Sequence, residues 1–411
     1  MIKHKEYKFY IMLLYETMIV DIVRCISMIV AIPTLADVVT PFRNILYVIV
    51  LLLILWSNRK NYDRIVIITF LFLLGLVFTF LISPNVKTIF FEIVLFLFAR
   101  ALPGILFIME CDDWRGFANQ LIKTTWLPII YSCLTLINNA TLKVNAYYDY
   151  DMSFSYNLLL PCIVAFYAAY ALKRRKYYFV VLFFVVLVLA YGARGTVISI
   201  AVGIFFSTLL FHETGKNRAV YKLTLLLLCF ILLFAFSDSI ISTLYNIFPS
   251  SRTLHSLIYM NFFQLSNRDK YYSTAIEILK SSPLQMRGFA GDCVALADTW
   301  GQIPDLGTHA HNMFLEIFLD CGMIIGTIVV FAIIYGTIKT YFIAYKNIEL
   351  AIPYVFFVVS SLPFLMVSSS LMRALQAWLL IATVKKLVNQ KSRLLLNKTR
   401  AGKPLTLIKR S

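Results

Sequence analysis

Charge is scarce in this sequence. Only 14% of the 411 residues are Asp, Glu, Lys or Arg, against about 25% in soluble globular domains, which is too little to cover the surface of a soluble fold. Acid is scarcer than base, with 21 Asp and Glu against 38 Lys and Arg and a formal net charge of +17. The seven cysteines (Cys25, Cys111, Cys133, Cys162, Cys229, Cys293 and Cys321) are scattered, mostly inside apolar runs, with no CxxC pair. That spacing argues against both a zinc site and a disulfide framework. There is no internal repeat, and no low-complexity segment beyond a basic carboxyl-terminal tail. The start, MIKHKEYKFYIMLL, is basic and then apolar, but no small-residue cleavage site follows it, so it reads as an uncleaved first span.

What is abundant is apolar surface, at 60% of residues. Twelve bilayer crossings of about 20 residues each would use nearly all of it. Apolar runs at 10–35, 42–57, 65–82, 88–109, 124–140, 154–172, 177–191, 195–211, 223–241, 312–340, 351–369 and 371–385 predict an all-α polytopic membrane protein with about 12 transmembrane helices. Short cytoplasmic segments carry the excess of Lys and Arg. The run Lys173-Arg174-Arg175-Lys176 and the tail from Lys385 therefore set both termini in the cytoplasm. The expected organisation is helices 1–9 in residues 1–241, a large extracytoplasmic loop with amphipathic helices at 242–307, helices 10–12 in 308–385, and a basic cytoplasmic tail at 386–411. The tail suits loose attachment to anionic lipid. Without interleaved aromatics it does not suit nucleic acid.

The long loop breaks the pattern of short connections, and long loops in compact proteins are usually functional. Within it, Ser266-Asn267-Arg268-Asp269 reads as a capping box opening a helix with Tyr271, Tyr272, Ala275, Ile276 and Leu279 on one face. Pro283 sets its end, and the apolar stripe suggests that the helix lies against the spans or the interface.

Two of the five histidines, His309 and His311, stand where the chain re-enters the membrane. A helix amino terminus offers unpaired N–H groups and partial positive charge; it suits an anion and keeps a nearby imidazole neutral, able to accept a proton. Asn312, Glu316 and Asp320 follow at i, i+4 and i+8 as one polar stripe. Carboxylates within a span are costly and face a cavity or a partner. The stripe is either a functional site or a helix cap with interfacial histidines and a buried ion pair. Arg194, in the tight turn YGARGT, either snorkels to headgroups or holds a phosphate in its planar fork. Arg268 and Arg287 allow the same two readings, and three such arginines beside a helix amino terminus suit a diphosphate. Tyr147-Tyr148-Asp149-Tyr150-Asp151 combines aromatic faces with carboxylates. It reads as a sugar-binding segment with Tyr148 and Asp149, as a DxD metal motif, or as an aromatic interfacial belt. Inside the spans, Asp21 with Arg24 and Glu92 with Arg100 share helix faces and read as structural pairs. Arg373, near the outer end of the last span, either joins the outer arginines or snorkels.

Together the ARG turn, SNRDKYYSTAIEILKSSPLQMRGFAGD and HAHNMFLEIFLDCGMIIG resemble the superfamily of O-antigen ligases and O-antigen or capsular polysaccharide polymerases. The likeness is clear over about residues 150–330, and its most specific element is His311-Asn312 followed by Gly322 and Gly326. The resemblance implies a C-type glycosyltransferase-like fold in the bacterial cytoplasmic (inner) membrane, with its active site at the outer boundary. It implies an undecaprenyl diphosphate-linked glycan as donor, His311 as the catalytic general base, and Arg194 and Arg268 on the departing diphosphate. A diphosphate neutralised by arginines needs no metal, and no cofactor is implied. Glu316 would either orient the site from below or serve only structure. The acceptor would be a new lipid-linked repeat unit for a polymerase, the reading favoured here, or lipid A-core for a ligase. A lipid-linked oligosaccharide flippase is the competing class, but transporters concentrate polar residues at the midplane in paired halves. A chain-length regulator is a conceivable partner.

Overall fold

The computed structural model describes residues 7–30, 33–141, 152–191, 194–211, 268–367 and 370–400, with isolated positions between 242 and 258. All its elements are helical, and there is no strand among the described residues. The run at 10–35 predicts one span, but the chain breaks at Tyr15 into α1 (Tyr7–Leu14) and α2 (Glu16–Ile29). Next come α3 (Pro33–Ser57) and α4 (Tyr62–Ile82). Then α5 (Phe90–Phe96) and α6 (Leu102–Glu110) form one crossing through a π-type turn at Leu97–Ala101. Pro103 explains that turn. Its ring would clash with the carbonyl four residues back, at Ala99, and a locally wider helix relieves the clash.

After these lie α7 (Trp114–Lys123), α8 (Trp126–Thr141), α9 (Met152–Tyr170), α10 (Tyr177–Tyr191) and α11 (Arg194–Leu210). The second half comprises α12 (Arg268–Ser281), α13 (Gly291–Trp300), α14 (Met313–Lys346), α15 (Ile348–Pro353), α16 (Ser361–Val367) and α17 (Leu375–Arg400). Between α15 and α16 the π-type turn Tyr354–Val359 stands four residues before Pro363, for the same reason. The run at 223–241 lies outside the described residues, as do Tyr148, Asp149 and most of 242–267. The boundary drawn at 386 falls inside α17. There Lys386 Nζ donates to the Cys111 carbonyl (2.5 Å) and to Asp112 Oδ1 (3.0 Å).

Among the described residues, six stretches are long and apolar enough to cross a membrane: Tyr62–Ile82, Phe90–Glu110, Trp114–Asn138, Ser153–Tyr170, Met313–Lys346 and Ile348–Val367. Three shorter apolar helices, Pro41–Ser57, Tyr177–Tyr191 and Gly195–Leu210, accompany them. At about 1.5 Å per residue, a 21-residue helix such as α4 matches the roughly 30 Å of hydrocarbon in a bilayer. Apolar side chains stand exposed along α4, α10 and the later half of α14, including Phe70, Leu81, Phe179, Ile328 and Phe331. Water would not tolerate that surface and lipid does. This is a helical membrane protein.

The core lies between α1, α6, α7, α9 and the segment around α15. Phe107 sits at its centre, 4.7 Å from the rings of both Tyr10 and Phe117 and 5.8 Å from Phe357. Aromatic pairs at such separations add about 0.5–1.5 kcal/mol beyond burial.

The intramembrane charges partly follow the expected pairing. Asp21 and Arg24 do pair, at 3.5 Å. Arg100 does not pair with Glu92, which is exposed. It forms an ion pair with Glu16 on α2, and donates to the Tyr47 hydroxyl (2.5 Å) and the Arg373 carbonyl (3.1 Å). Two turns of helix separate positions i and i+8 by about 12 Å, so the nearer carboxylate on another helix wins.

Around the polar end, α12 and α13 pack against the first part of α14. Ala275, Leu279, Leu296, Ala310 and Leu319 form a small apolar cluster there, separate from the main core. The stripe on α12 therefore lies against a span, as its pattern predicts. Ile276 is the exception, at 43% exposed, because the buried face runs through positions 271, 275 and 279.

Candidate active site

Helix α14 is interrupted at Gly322, with φ 71° and ψ 165°. Glycine takes this conformation without the steric cost a side chain would incur. A Cβ there would also meet the Leu284 carbonyl at 2.9 Å. The loop that follows α12 docks on this break. Met323 N donates to the Pro283 carbonyl (2.7 Å), while Arg287 N and Gly288 N both donate to the Asp320 carbonyl (2.9 Å each). On its other side the same loop meets α4, where Ser83 Oγ donates to the Arg287 carbonyl and Phe289 N donates to Thr79 Oγ1. The first turns of α14 are thus a separate short helix, held by the loop between α12 and α13.

His309, Ala310 and His311 lead into that short helix, and His311 has φ +52°. For a residue with a side chain, this left-handed backbone costs of order 1–3 kcal/mol and persists only where its surroundings fix it. Three contacts do so. Asp292 Oδ2 accepts from Ala310 N (2.9 Å), the Tyr272 hydroxyl donates to the His311 carbonyl (3.4 Å), and Asn312 caps α14, its Oδ1 accepting from Phe314 N and Leu315 N. Burial pushes the Tyr272 hydroxyl above its ordinary pKa, so it stays protonated and able to donate. The His311 ring lies 5.0 Å from Tyr271 and 4.0 Å from His309, centre to centre.

His309 is buried, with Nδ1 against the carbonyls of Gly307 (3.0 Å) and Leu306 (3.3 Å). Those acceptors assign the proton to Nδ1. Burial first, then His311 and Arg373, push its pKa down to about 3, so it is neutral at physiological pH. Arg373 reaches the same loop, donating from Nη1 to the Leu306 carbonyl (2.9 Å). Arg373 is thereby held against the loop ahead of His309.

Glu316 and Asp320 face inward and are buried, as a polar stripe requires, but neither forms an ion pair among the described residues. Glu316 accepts from Ser370 Oγ (2.7 Å), Leu371 N (2.6 Å) and Met372 N (3.2 Å), and so grips the segment that carries Arg373. Asp320 Oδ1 accepts from Asp292 N (2.9 Å). Asp292 is the residue that sequence reasoning missed. It is fully buried, and burial raises its carboxyl to about 6. Oxygens of Asp292, Glu316 and Asp320 lie within 4.8 Å of one another, and these are the described residues that could hold a metal ion. The signal in the sequence was faint: an acid directly ahead of the apolar CVALA in the glycine-rich RGFAGD.

The arginines divide. Arg268 opens α12, one turn before Tyr272, and its charge lowers that hydroxyl's pKa against the effect of burial. Arg287 is buried at 7% exposure, with Nη2 donating to Gln285 Oε1 (2.8 Å) and Nη1 to the Gln285 and Leu319 carbonyls (3.3 and 3.4 Å). Arg194 is the first residue of α11, but its side chain lies outside the described residues. His309, His311, Asn312, Glu316 and Arg287 are therefore brought together around the start of α14, with Arg268 on the adjoining helix.

Apolar crossing helices around a polar centre, built where one of them is interrupted, define an integral membrane protein with a site at the end of a helix. Residues 178–331 match the family model described as O-antigen ligase. The matched segment runs from α10 into α14 and contains Arg194, Arg268, Arg287, Asp292 and both histidines, and it supports the O-antigen ligase and polymerase superfamily. No curated protein and no solved structure matches the chain.

Proposed function

We propose that the protein is a glycosyltransferase that moves a growing glycan from undecaprenyl diphosphate to a hydroxyl of a new lipid-linked repeat unit, at the outer face of the bacterial inner membrane. The observation that carries this reading is His311, an imidazole held in a left-handed turn directly before the α14 amino terminus and beside the helix that Arg268 opens. In the reaction, the acceptor oxygen bonds to the anomeric carbon, its proton passes to the His311 imidazole, and the bond to the diphosphate breaks with its electron pair on the phosphate oxygen. Negative charge grows on the leaving diphosphate, where fixed cations help most. Arg194 and Arg268 would supply them, and Arg287 would hold the loop that carries the site. No metal or cofactor is needed for that charge balance. Tyr148 and Asp149 would contact sugar hydroxyls of the glycan.

Polymerase and ligase share this donor and chemistry, the family match supports either, and the ligase is the second reading. The length distribution of glycans in a deletion strain separates them. Single repeat units held on carrier or core support the polymerase; long carrier-linked chains identify a ligase. Unaltered glycan lengths would overturn both.

A further inference from the structure

Beside His311 the structure holds a row of aromatic rings that the transfer chemistry does not use. Tyr271, in the first turn of α12, packs against Trp300, the last residue of α13, with ring centres 4.9 Å apart and planes at 85°. Tyr271 also meets His311 at 5.0 Å and 78°. Each step is about the length of one sugar ring. Trp300 is fixed from two helices, since its Nε1 donates to Thr274 Oγ1 at 3.3 Å. The Lys270 ammonium stands 4.4 Å from the Trp300 ring centre.

That ammonium identifies what the ring face accepts. An aromatic face carries negative charge density and attracts positive groups, and the axial C–H bonds of a sugar present the same weak positive charge. Lys270 is exposed, and an exposed contact of this kind is easily displaced. The surroundings also separate Trp300 from a lipid-facing belt residue. Lys270, Asp298, Thr299, Gly301 and Gln302 are all exposed polar or glycine positions, whereas a belt tryptophan turns its ring toward hydrocarbon. A Cβ at Gly301 would meet nothing within 4 Å, so the chain next to Trp300 faces open space, and Trp300 itself is half-buried.

We infer that Trp300 and Tyr271 form a carbohydrate-binding subsite, a stacking platform that receives a sugar ring of the glycan next to His311. The sugar class rests on the transferase reading above. The platform rests on the rings.

The test uses the repeat-unit oligosaccharide released by mild acid from the host's own surface polysaccharide. Its binding to the purified full-length protein is measured by saturation-transfer NMR. Trp300→Ala is expected to weaken binding about tenfold, while Trp300→Phe, which keeps a ring, stays within about threefold of wild type. Thr274→Val removes the hydrogen bond and keeps the ring, so it too is expected to bind normally. Equal binding by wild type and Trp300→Ala would overturn the inference, as would a Thr274→Val loss as large as that of Trp300→Ala, which would make the tryptophan a packing residue. The transferase reading fails separately: it fails if His311→Ala leaves glycan synthesis intact, whatever Trp300 does.

Discussion

Of the buried groups of charged side chains in this protein, two are built on opposite principles. Around Arg100 the charges cancel. The guanidinium pairs with Glu16, bonds the Tyr47 hydroxyl and reaches the Arg373 carbonyl. Around Asp292 they do not cancel. Asp292, Glu316 and Asp320 gather without a paired cation among the described residues, and accept hydrogen bonds from backbone N–H groups and one serine. The difference is one of task. A neutral pair holds helices together and asks nothing further, whereas unpaired carboxylates act as acceptors that fix particular stretches of backbone. Those stretches are the ones carrying His311 and Arg373. The groups also touch, because Arg100 bonds the carbonyl of Arg373, which in turn bonds the loop ahead of His309.

The largest effect is expected where the neutral pair is split. Arg100→Ala leaves Glu16 buried and uncompensated, and breaking such a pair costs about 3–5 kcal/mol. Thermal unfolding in detergent should show a collapse in stability, and the double variant Glu16→Gln with Arg100→Met should recover most of it. If the single variant unfolds like wild type, the pair is not what holds α2 to the crossing helix.

Removing an acceptor should cost less stability and act locally. Glu316→Ala strands the N–H group of Leu371 and the Ser370 hydroxyl, while Met372 N keeps its bond to Ser370 Oγ, at about 1–3 kcal/mol. Glu316→Gln keeps an oxygen acceptor and should lose less. Limited proteolysis near residue 370 would report the loosening, and identical cleavage of the two variants would contradict the acceptor role.

Asp292 sharpens the contrast through activity. Asp292→Ala frees Ala310 N and releases the strained turn at His311. Misplacing a catalytic group by about 1 Å can cost about 10²-fold, so a comparable loss of transfer is expected at normal protein level. Asp292→Asn retains the amide oxygen as acceptor and should keep most of the activity. Equal losses in both would mean that the charge, not the hydrogen bond, is what matters.

The smallest effect concerns pH. The Asp292 carboxyl is raised from 3.8 to about 6 by burial, so the folded state binds more protons than the unfolded chain between those values. Its contribution to stability is complete below about 4 and is lost as pH rises through about 6. Asp292→Asn lacks this loss. The variant's unfolding temperature relative to wild type should therefore climb from pH 4 to pH 6 and level off above. A difference that shrinks over that window would contradict the assignment.

Local signals made much of this legible. The cap at Asn312, the acids at i+4 and i+8 and the end of α12 before Pro283 all lie within a few residues of what they control, whereas the break at Gly322 falls inside a run that reads as one continuous span. Asp292 was not legible because its partners are far along the chain, at Ala310 and Asp320. The Glu92 assignment failed for the same reason, since spacing within one helix cannot show that Glu16 on another helix lies closer. Twelve apolar runs gave the membrane class correctly, but apolar length alone does not reveal the break at Tyr15.

The most direct measurement is transfer by purified protein from an undecaprenyl diphosphate-linked repeat, comparing wild type with His311→Ala at matched unfolding temperature. If His311 takes the acceptor proton, the variant should lose at least about 10²-fold in rate, within the range for general base catalysis. Transfer within about threefold of wild type would contradict the account.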